Sequence, residues 1–162
     1  PDKNQRWTLS TLFVVGLLDA YVGPAISKAW VTELPAEWLA FQSLGKNGYA
    51  SIVDSAIENA CYAYSIFSTR NEFECALEPE LSSVVFRLSP QFWECTDIAQ
   101  VDALNKKLRR TLLHKNGIVL GQTSVKGKTF LKLTLLNPRL TPQHIDSLCE
   151  RLLSVGAEVK KV

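Results

Sequence analysis

The sequence predicts an α+β fold in which helices cover one face of an antiparallel sheet, and three observations lead to it. Strand-like segments come in two hairpin patterns, at 73–88 and 118–136. Helix-like periodicity precedes, separates and follows these hairpins, at 48–69, 98–117 and 141–153. Hairpins that alternate with helices are typical of an antiparallel sheet with helices on one face.

The first helical region is predicted as two segments. A helix that begins at Pro35, where proline is tolerated in the first turn, is predicted to end at Gly45. A turn is predicted at "GKNG" (45–48). From 48 to 69, apolar residues recur at three- and four-residue steps, which indicates an amphipathic helix of about six turns.

The start of the chain has a different character. "LFVVGLL" (12–18) is far shorter than the ~20 residues that cross a bilayer, so we predict a buried strand or helix segment. We divide the chain into a helical connecting segment, 1–47, and a small α+β domain, 48–162. No methionine occurs, not even at position 1, and we expect a fragment or a processed product of a longer protein.

The first predicted hairpin joins "FECALE" (73–78) to "SSVVFRL" (82–88), whose β-branched residues favour a strand. "SPQFWECTD" (89–97) is predicted as a loop. The next helix is predicted from Ile98 onward, and it is expected to stop at Gly117 because glycine readily adopts the left-handed conformation at a helix end.

The second hairpin is predicted from "IVLGQTSV" (118–125) and "TFLKLTLL" (129–136), with a turn at Gly127. "NPRL" then breaks the strand. Thr141 is expected to cap a last helix with Pro142 in its first position.

Composition excludes several classes of protein. With 46% hydrophobic and 21% charged residues, the 162-residue chain is neither disordered nor strongly basic, and its net charge of +2 does not indicate a partner. The cysteines, Cys61, Cys75, Cys95 and Cys149, form no CxxC pair. This spacing predicts reduced thiols, and we expect a cytoplasmic protein.

Lys132 is the candidate binding residue, because it interrupts a strand made mainly of leucine and threonine. Side chains alternate between the two faces of a strand. The predicted core face carries Leu131, Leu133 and Leu135. Lys132 therefore shares the other face with Phe130 and Thr134. Either it is aimed at an anionic ligand, or this face is solvated and the lysine is simply in water.

Other candidate features favour structural roles. Eight basic residues and no acid occur between 105 and 132, which fits either a phosphate or nucleic-acid patch or a solvated helix face with a basic hairpin tip. The lack of interleaved aromatics before Phe130 favours the second. His114 and His144 have no partner at metal-ligand spacing, so we assign neither to a metal. No GxSxG, HExxH, P-loop or GxGxxG motif occurs.

Four blocks resemble one known family in order and spacing: "EPELSSVVFR" (78–87), "LNKKLR" (104–109), "GIVLGQT" (117–123) and "LKLTLLNPRLT" (131–141). They are similar to the C-terminal domain of the group II pyridoxal-phosphate-dependent amino-acid decarboxylases, which share the aspartate-aminotransferase fold. Within that family, the blocks resemble the diaminobutyrate and lysine decarboxylases of polyamine and siderophore synthesis.

The resemblance implies a role for Lys132, because a basic residue in the matching place of that family helps to position the substrate carboxylate. It also implies pyridoxal phosphate as cofactor, bound mainly by residues that are not in this chain. The family's Schiff-base lysine lies in a Ser/Pro-x-His-Lys stretch. His114-Lys115 is not that stretch, so no catalytic residue is assigned here.

The resemblance further implies partners: the remainder of the enzyme, a second subunit in a homodimer and an amino-acid substrate, with no nucleic acid and no membrane. This chain alone is expected to be inactive. The alternative is a non-catalytic module derived from the family, which binds a small molecule or another protein.

Overall fold

The computed structural model describes residues 36–161. The prediction for 12–18, and most of the predicted segment 1–47, lie outside the described residues. The chain divides after Ala56, into a unit that ends there and a second unit, Ile57–Val162.

The described residues form four helices and four strands. In chain order these are α1 (Ala36–Ser68), β1 (Phe73–Cys75), β2 (Ser83–Leu88), α2 (Pro90–Trp93), α3 (Ile98–Asn116), β3 (Gly121–Val125), β4 (Lys128–Thr134) and α4 (Pro142–Lys160). The strands make one sheet in the order β1-β2-β4-β3, and every pair is antiparallel. The predicted α+β class is confirmed.

The predicted break at Gly45 is present, but it is a kink within one helix, α1, and residues 46–48 are helical where a turn was predicted. Only Gly45 leaves the helical conformation, with φ 62° and ψ 178°. Glycine accepts this positive φ without a steric penalty, so one residue makes a kink where a turn was expected. Within the first unit, the rings of Phe41 and Tyr49 stack on either side of the kink, with centroids 4.3 Å apart.

The predicted loop at 89–97 contains a short helix, α2. The Ser89 side chain caps it by accepting a hydrogen bond from the Phe92 N–H at 3.1 Å, and Pro90 occupies the first turn. Trp93 is buried, which fixes the turn against the core. The helix ends at Glu94, which has a positive φ of 51°.

All four strands are shorter than predicted, β1 and β3 by three residues each. β1 ends at Cys75, and only the Ala76 N–H continues its pairing, with the Val85 carbonyl. Pro79 lacks an N–H and restricts the residue before it, so the pairing is not continued through the connection. β3 starts at Gly121, three residues later than predicted, because the Ile118 N–H is bonded to the Leu112 carbonyl at the end of α3.

The second hairpin has the predicted position and a two-residue turn. Lys126 and Gly127 both have positive φ, at 50° and 76°. This is the arrangement of a type I′ turn, whose twist matches that of the paired strands. The turn sets the register in which Gly121 lies opposite Lys132 and Val125 opposite Lys128.

One face of the sheet and the helices share a hydrophobic core. The predicted leucines Leu131, Leu133 and Leu135 are at most 8% exposed, which confirms their face. From β2 the same face contributes Val84, Phe86 and Leu88. The helices contribute Ala60, Ala63 and Phe67 of α1, Val101, Leu108 and Leu112 of α3, and Ile145, Cys149, Leu152, Val155 and Val159 of α4.

Two side chains of helix α3 bond to the central strands, β2 and β4, beyond the point where these strands stop pairing with each other. Direct pairing of β2 with β4 ends at Phe86 opposite Leu131. One step further, the Leu88 N–H and carbonyl both bond to the Asn105 side chain, at 2.9 and 3.1 Å. The Thr129 N–H donates to Asp102 Oδ2 at 2.9 Å. These two side chains satisfy buried backbone groups that the strands no longer satisfy themselves.

We predict that Gly156→Ala destabilises the protein. Alanine favours a helix by about 1 kcal/mol over glycine. However, a Cβ at position 156 would lie 2.7 Å from Leu88 Cδ1 and 2.9 Å from the Phe92 ring, and overpacking of this kind costs about 1–3 kcal/mol. Urea unfolding should therefore show a lower free energy of unfolding. Ser154→Ala, on the exposed side of the same helix, should leave it within about 0.5 kcal/mol.

We also predict selective protection of two cysteines. Burial raises the pKa of the Cys75 and Cys149 thiols to about 11, from an ordinary value of 9.0. At pH 8 this leaves roughly 0.1% as thiolate, the form that is alkylated. N-ethylmaleimide should thus modify the exposed Cys61 first, and it should reach Cys75 and Cys149 only when urea unfolds the chain. Equal rates for the three in the native protein would contradict this.

Candidate functional site: a cation on the second face of the sheet

The face of the sheet opposite the core is polar, and we call it the polar face. Its residues are Glu74 of β1, Ser83, Val85 and Arg87 of β2, Gly121, Thr123 and Val125 of β3, and Lys128, Phe130, Lys132 and Thr134 of β4. It is not simply open to water, because Arg87 and Phe130 are only 1% and 3% exposed. The lysine therefore stands beside buried groups.

Arg87 is the most buried charge of the polar face, and it is fully partnered. Its Nε and Nη2 both donate to Glu74 Oε2, at 2.8 and 2.6 Å. Its Nη1 lies 3.4 Å from Asp102 Oδ1 of α3. The guanidinium carbon is 5.1 Å from the centre of the Phe130 ring, a cation–π contact. Burial of this cation is tolerated because two carboxylates and a ring surround it.

A count of the charges on the polar face singles out Lys132. The polar face with Asp102 holds three cations, Arg87, Lys128 and Lys132, and two anions, Glu74 and Asp102, which leaves one positive charge over. Arg87 pairs with both anions, and Lys128 lies 3.7 Å from Glu74. Among residues 36–161, Lys132 is the only charged side chain of this face without an ion-pair partner.

Lys132 has a neighbouring strand on each side. It is half-buried and lies between Val85 on one neighbouring strand and Gly121 on the other. Next to it on the same face, the Ser83 hydroxyl donates to Thr134 Oγ1 at 3.2 Å. Side chains two residues apart on a strand are about 7 Å apart, so an ammonium and a hydroxyl pair share one surface.

This donor set suits a single small anion. A lysine ammonium offers three N–H donors and a full charge to a carboxylate. The set does not suit pyridoxal phosphate, which also needs an acidic or basic partner for its ring nitrogen and donors for its phosphate. Among residues 36–161, the donors around Lys132 therefore suit a small anion such as a carboxylate better than they suit the cofactor.

Three other candidate residues from the sequence, Arg109, Lys115 and His144, make contacts that give them structural roles. Arg109 donates from Nε to the Leu120 carbonyl at 2.7 Å, and Lys115 pairs with Glu158 at 3.3 Å. His144 closes the start of α4, because its Nδ1 accepts the Thr141 N–H at 3.1 Å. Within residues 36–161, no three His, Cys, Asp or Glu side chains are grouped to hold a metal. None of the helices in this range has the length and apolarity to span a bilayer.

Comparison with known proteins shows which proteins this chain resembles. The relatives and structural neighbours are group II amino-acid decarboxylases that depend on pyridoxal phosphate, and the similarity covers about 75% of this chain. A search of family models gave no match. The predicted resemblance is confirmed at this level.

Particular relatives make the similarity concrete. L-2,4-diaminobutyrate decarboxylase of Acinetobacter baumannii is 25% identical over 123 residues, which are 76% of this chain and 24% of the relative. Aromatic-L-amino-acid decarboxylase of Bacillus atrophaeus is 25% identical over 122 residues, 75% of this chain and 25% of the relative. The chain thus spans about a quarter of each relative's length.

A solved structure agrees with these relatives. It is the glutamate decarboxylase domain of diaminobutyrate-pyruvate transaminase and L-2,4-diaminobutyrate decarboxylase from Vibrio parahaemolyticus. This chain is 34% identical to it, with a TM-score of 0.67, and the match covers 75% of this chain and 25% of that one. The sheet and helices of this chain therefore have the same fold as part of that decarboxylase domain.

Sequence reasoning missed the ion network around Arg87. The residue was visible inside "SSVVFRL", in a strand whose other members are mostly apolar. A charge in such a strand requires a partner, but Glu74 and Asp102 lie 13 and 15 residues away on different elements. Only the pairing of β1 with β2, and the position of α3, bring them together.

We predict that Arg87→Met lowers the free energy of unfolding by about 3 kcal/mol, the low end for a broken buried pair because Glu74 is one-third exposed. Methionine retains the volume, leaves Asp102 without its cation and leaves Glu74 with only the more distant Lys128. Lys115→Ala, which breaks the exposed pair with Glu158, should cost less than about 1 kcal/mol. Equal effects in urea unfolding would show that the Arg87 network does not stabilise the sheet.

Proposed function

We propose that this chain is the C-terminal part of a pyridoxal-phosphate-dependent amino-acid decarboxylase, and that it contributes one wall of the active site. The observation that carries the proposal is Lys132, a half-buried cation without a counter-ion among residues 36–161. The α-carboxylate of an amino acid is the anion that such a site would bind. When bound, the cofactor supplies the electron sink for loss of the carboxylate as carbon dioxide.

The chain's own residues would bind and orient the substrate. Lys132 would hold the carboxylate through charge-assisted hydrogen bonds, each worth about 1.5–3 kcal/mol. Thr134, whose oxygen already accepts a hydrogen bond from Ser83, can donate its own proton to a second acceptor. Arg87 would not bind the substrate carboxylate in place of Lys132, because its charge is already balanced by Glu74 and Asp102.

We propose a basic or diamino acid as the substrate, in polyamine or siderophore synthesis. The diaminobutyrate decarboxylases among the relatives support this class. The cofactor would be held by residues outside this chain, and the 162 residues alone would be inactive. We propose that they act in the cytoplasm, as a small domain, 48–162, that follows a connecting segment, 1–47.

We propose further that the rest of the enzyme and a second identical subunit are the partners. Three large apolar side chains on the first part of α1, Trp38, Phe41 and Leu44, are 47%, 37% and 43% exposed. They are three residues apart, so they form one stripe of the helix surface. Exposed apolar patches mark interaction sites.

The test uses the complete protein with its cofactor. Lys132→Met retains the length of the stem and removes the charge, so we expect kcat/KM for a diamino acid to fall roughly 10- to 100-fold. Lys132→Arg, which keeps the charge, should recover part of this loss. Carbon dioxide release at varied substrate concentration gives both constants.

Lys128→Ala is the matched control, because Lys128 lies on the same strand and face but pairs with Glu74. Its kcat/KM should stay within about twofold of the parent value, as surface pairs are weak. If Lys132→Met behaves like the control, Lys132 does not bind the substrate. A complete protein that binds amino acids but releases no carbon dioxide would instead favour a non-catalytic binding module.

A further inference from the structure

We infer that Gly121 is a positioning residue: its missing side chain sets where the Lys132 ammonium stands on the polar face. This inference rests on the proposed function for the identity of the ligand. Its structural part concerns only the contact between two strands. Gly121 touches no substrate, so it acts through Lys132.

The contact is unusually close. Gly121 is the direct partner of Lys132 across β3 and β4. A Cβ built on Gly121 would lie 3.2 Å from Lys132 Cβ, 3.4 Å from its carbonyl oxygen and 3.8 Å from its Cγ. Opposed Cβ atoms in antiparallel pairs are ordinarily about 4.5–5.5 Å apart. The two strands therefore approach at this position more closely than is usual for two opposed side chains.

Backbone conformation does not explain this glycine. The described glycines with positive φ are Gly45, Gly117 and Gly127, and Gly121 is not among them. An L-residue could adopt its backbone angles. Glycine inside a strand lowers stability, and it often marks a close approach of another group. The space beside Lys132 is the remaining reason for glycine at position 121.

Any added side chain would act on the fixed part of Lys132. The nearest atoms, Cβ and the carbonyl oxygen, do not move when the lysine rotates about its side-chain bonds. The backbones of β3 and β4 must then move apart by a few tenths of an ångström at this pair. This displacement moves the Cα–Cβ bond of Lys132, from which the rest of the stem and the ammonium extend. Catalytic binding is sensitive to such displacements, since misplacement by about 1 Å can cost roughly 100-fold in rate.

The first experiment measures kinetics in the complete protein. For Gly121→Ala we expect KM for the amino acid to rise about 10-fold, with kcat less affected. In a Lys132→Met background, the same substitution should change KM by less than about twofold, because there is no ammonium left to misplace. An equal effect in both backgrounds would overturn the inference, because the glycine would then act on folding alone.

The matched control is Gln122→Ala. Gln122 is the next residue of the same edge strand, it is exposed, and it faces away from Lys132. Its substitution should leave KM unchanged. The thermal unfolding midpoint of each variant separates a displaced lysine from a protein that no longer folds.

A second experiment reads the position of the lysine without any turnover. Acetylation by a dilute activated ester, followed by peptide mass spectrometry, gives the rate at Lys132 relative to the exposed Lys107. In Gly121→Ala this ratio should change about threefold or more, because the reactivity of the amine depends on how its stem is packed. Gln122→Ala should leave the ratio unchanged. An unchanged ratio in folded Gly121→Ala would refute the positioning role.

The two experiments distinguish the two levels of interpretation. A changed ratio in a complete protein that decarboxylates nothing supports the effect of Gly121 on Lys132 and refutes the proposed function. A changed KM for the Lys132 variants, with no effect of Gly121→Ala on ratio or KM, supports the proposed function and refutes the inference.

Discussion

The neutralisation of one buried guanidinium determines how the polar face can be used. Arg87 lies near the end of the central strand β2 with 1% of its surface exposed, so its charge must be balanced by neighbouring groups. Glu74 and Asp102 provide that balance, and in doing so they join β1, β2 and helix α3. Both carboxylates of this network are paired with Arg87, so neither is left to pair with Lys132 of β4. Within residues 36–161, Lys132 therefore has no ion-pair partner, and the binding role proposed above depends on this.

The hydrogen bonds of α3 complement this charge network. Asp102 serves both, because one of its oxygens faces Arg87 and the other accepts the Thr129 N–H. Asn105 satisfies both backbone groups of Leu88. The helical turn from Asp102 to Asn105 thus fixes the point at which β2 and β4 separate. It also holds the start of β4, the strand that carries Lys132, through the Thr129 N–H. The backbone that carries Lys132 is fixed because β4 is paired on both sides.

Local patterns in the sequence were sufficient for most of the fold. The apolar alternation in β4, the glycine stop at 117 and the Thr141 cap each depend on neighbouring residues, and the structure has them at the predicted positions. The errors arose where a local signal has two outcomes. Gly45 permits either a turn or a kink, and Ser89-Pro90 can begin a helix as readily as it can end a strand. At the candidate site, the face of Lys132 followed from alternation, whereas the partners of Arg87 and the closeness of Gly121 depend on residues distant in sequence.

The side-chain bridge between Leu88 and Asn105 limits how the gene for this chain can change in length. A residue inserted between Val101 and Asn105 would rotate the following part of α3 by about 100° and turn the amide away from the sheet. The connection between β1 and β2 has no such constraint in its exposed part, where Leu77, Glu78 and Leu81 lie at the surface. Insertions and deletions among descendants of this sequence should accumulate there, while the spacing from Asp102 to Asn105 stays constant.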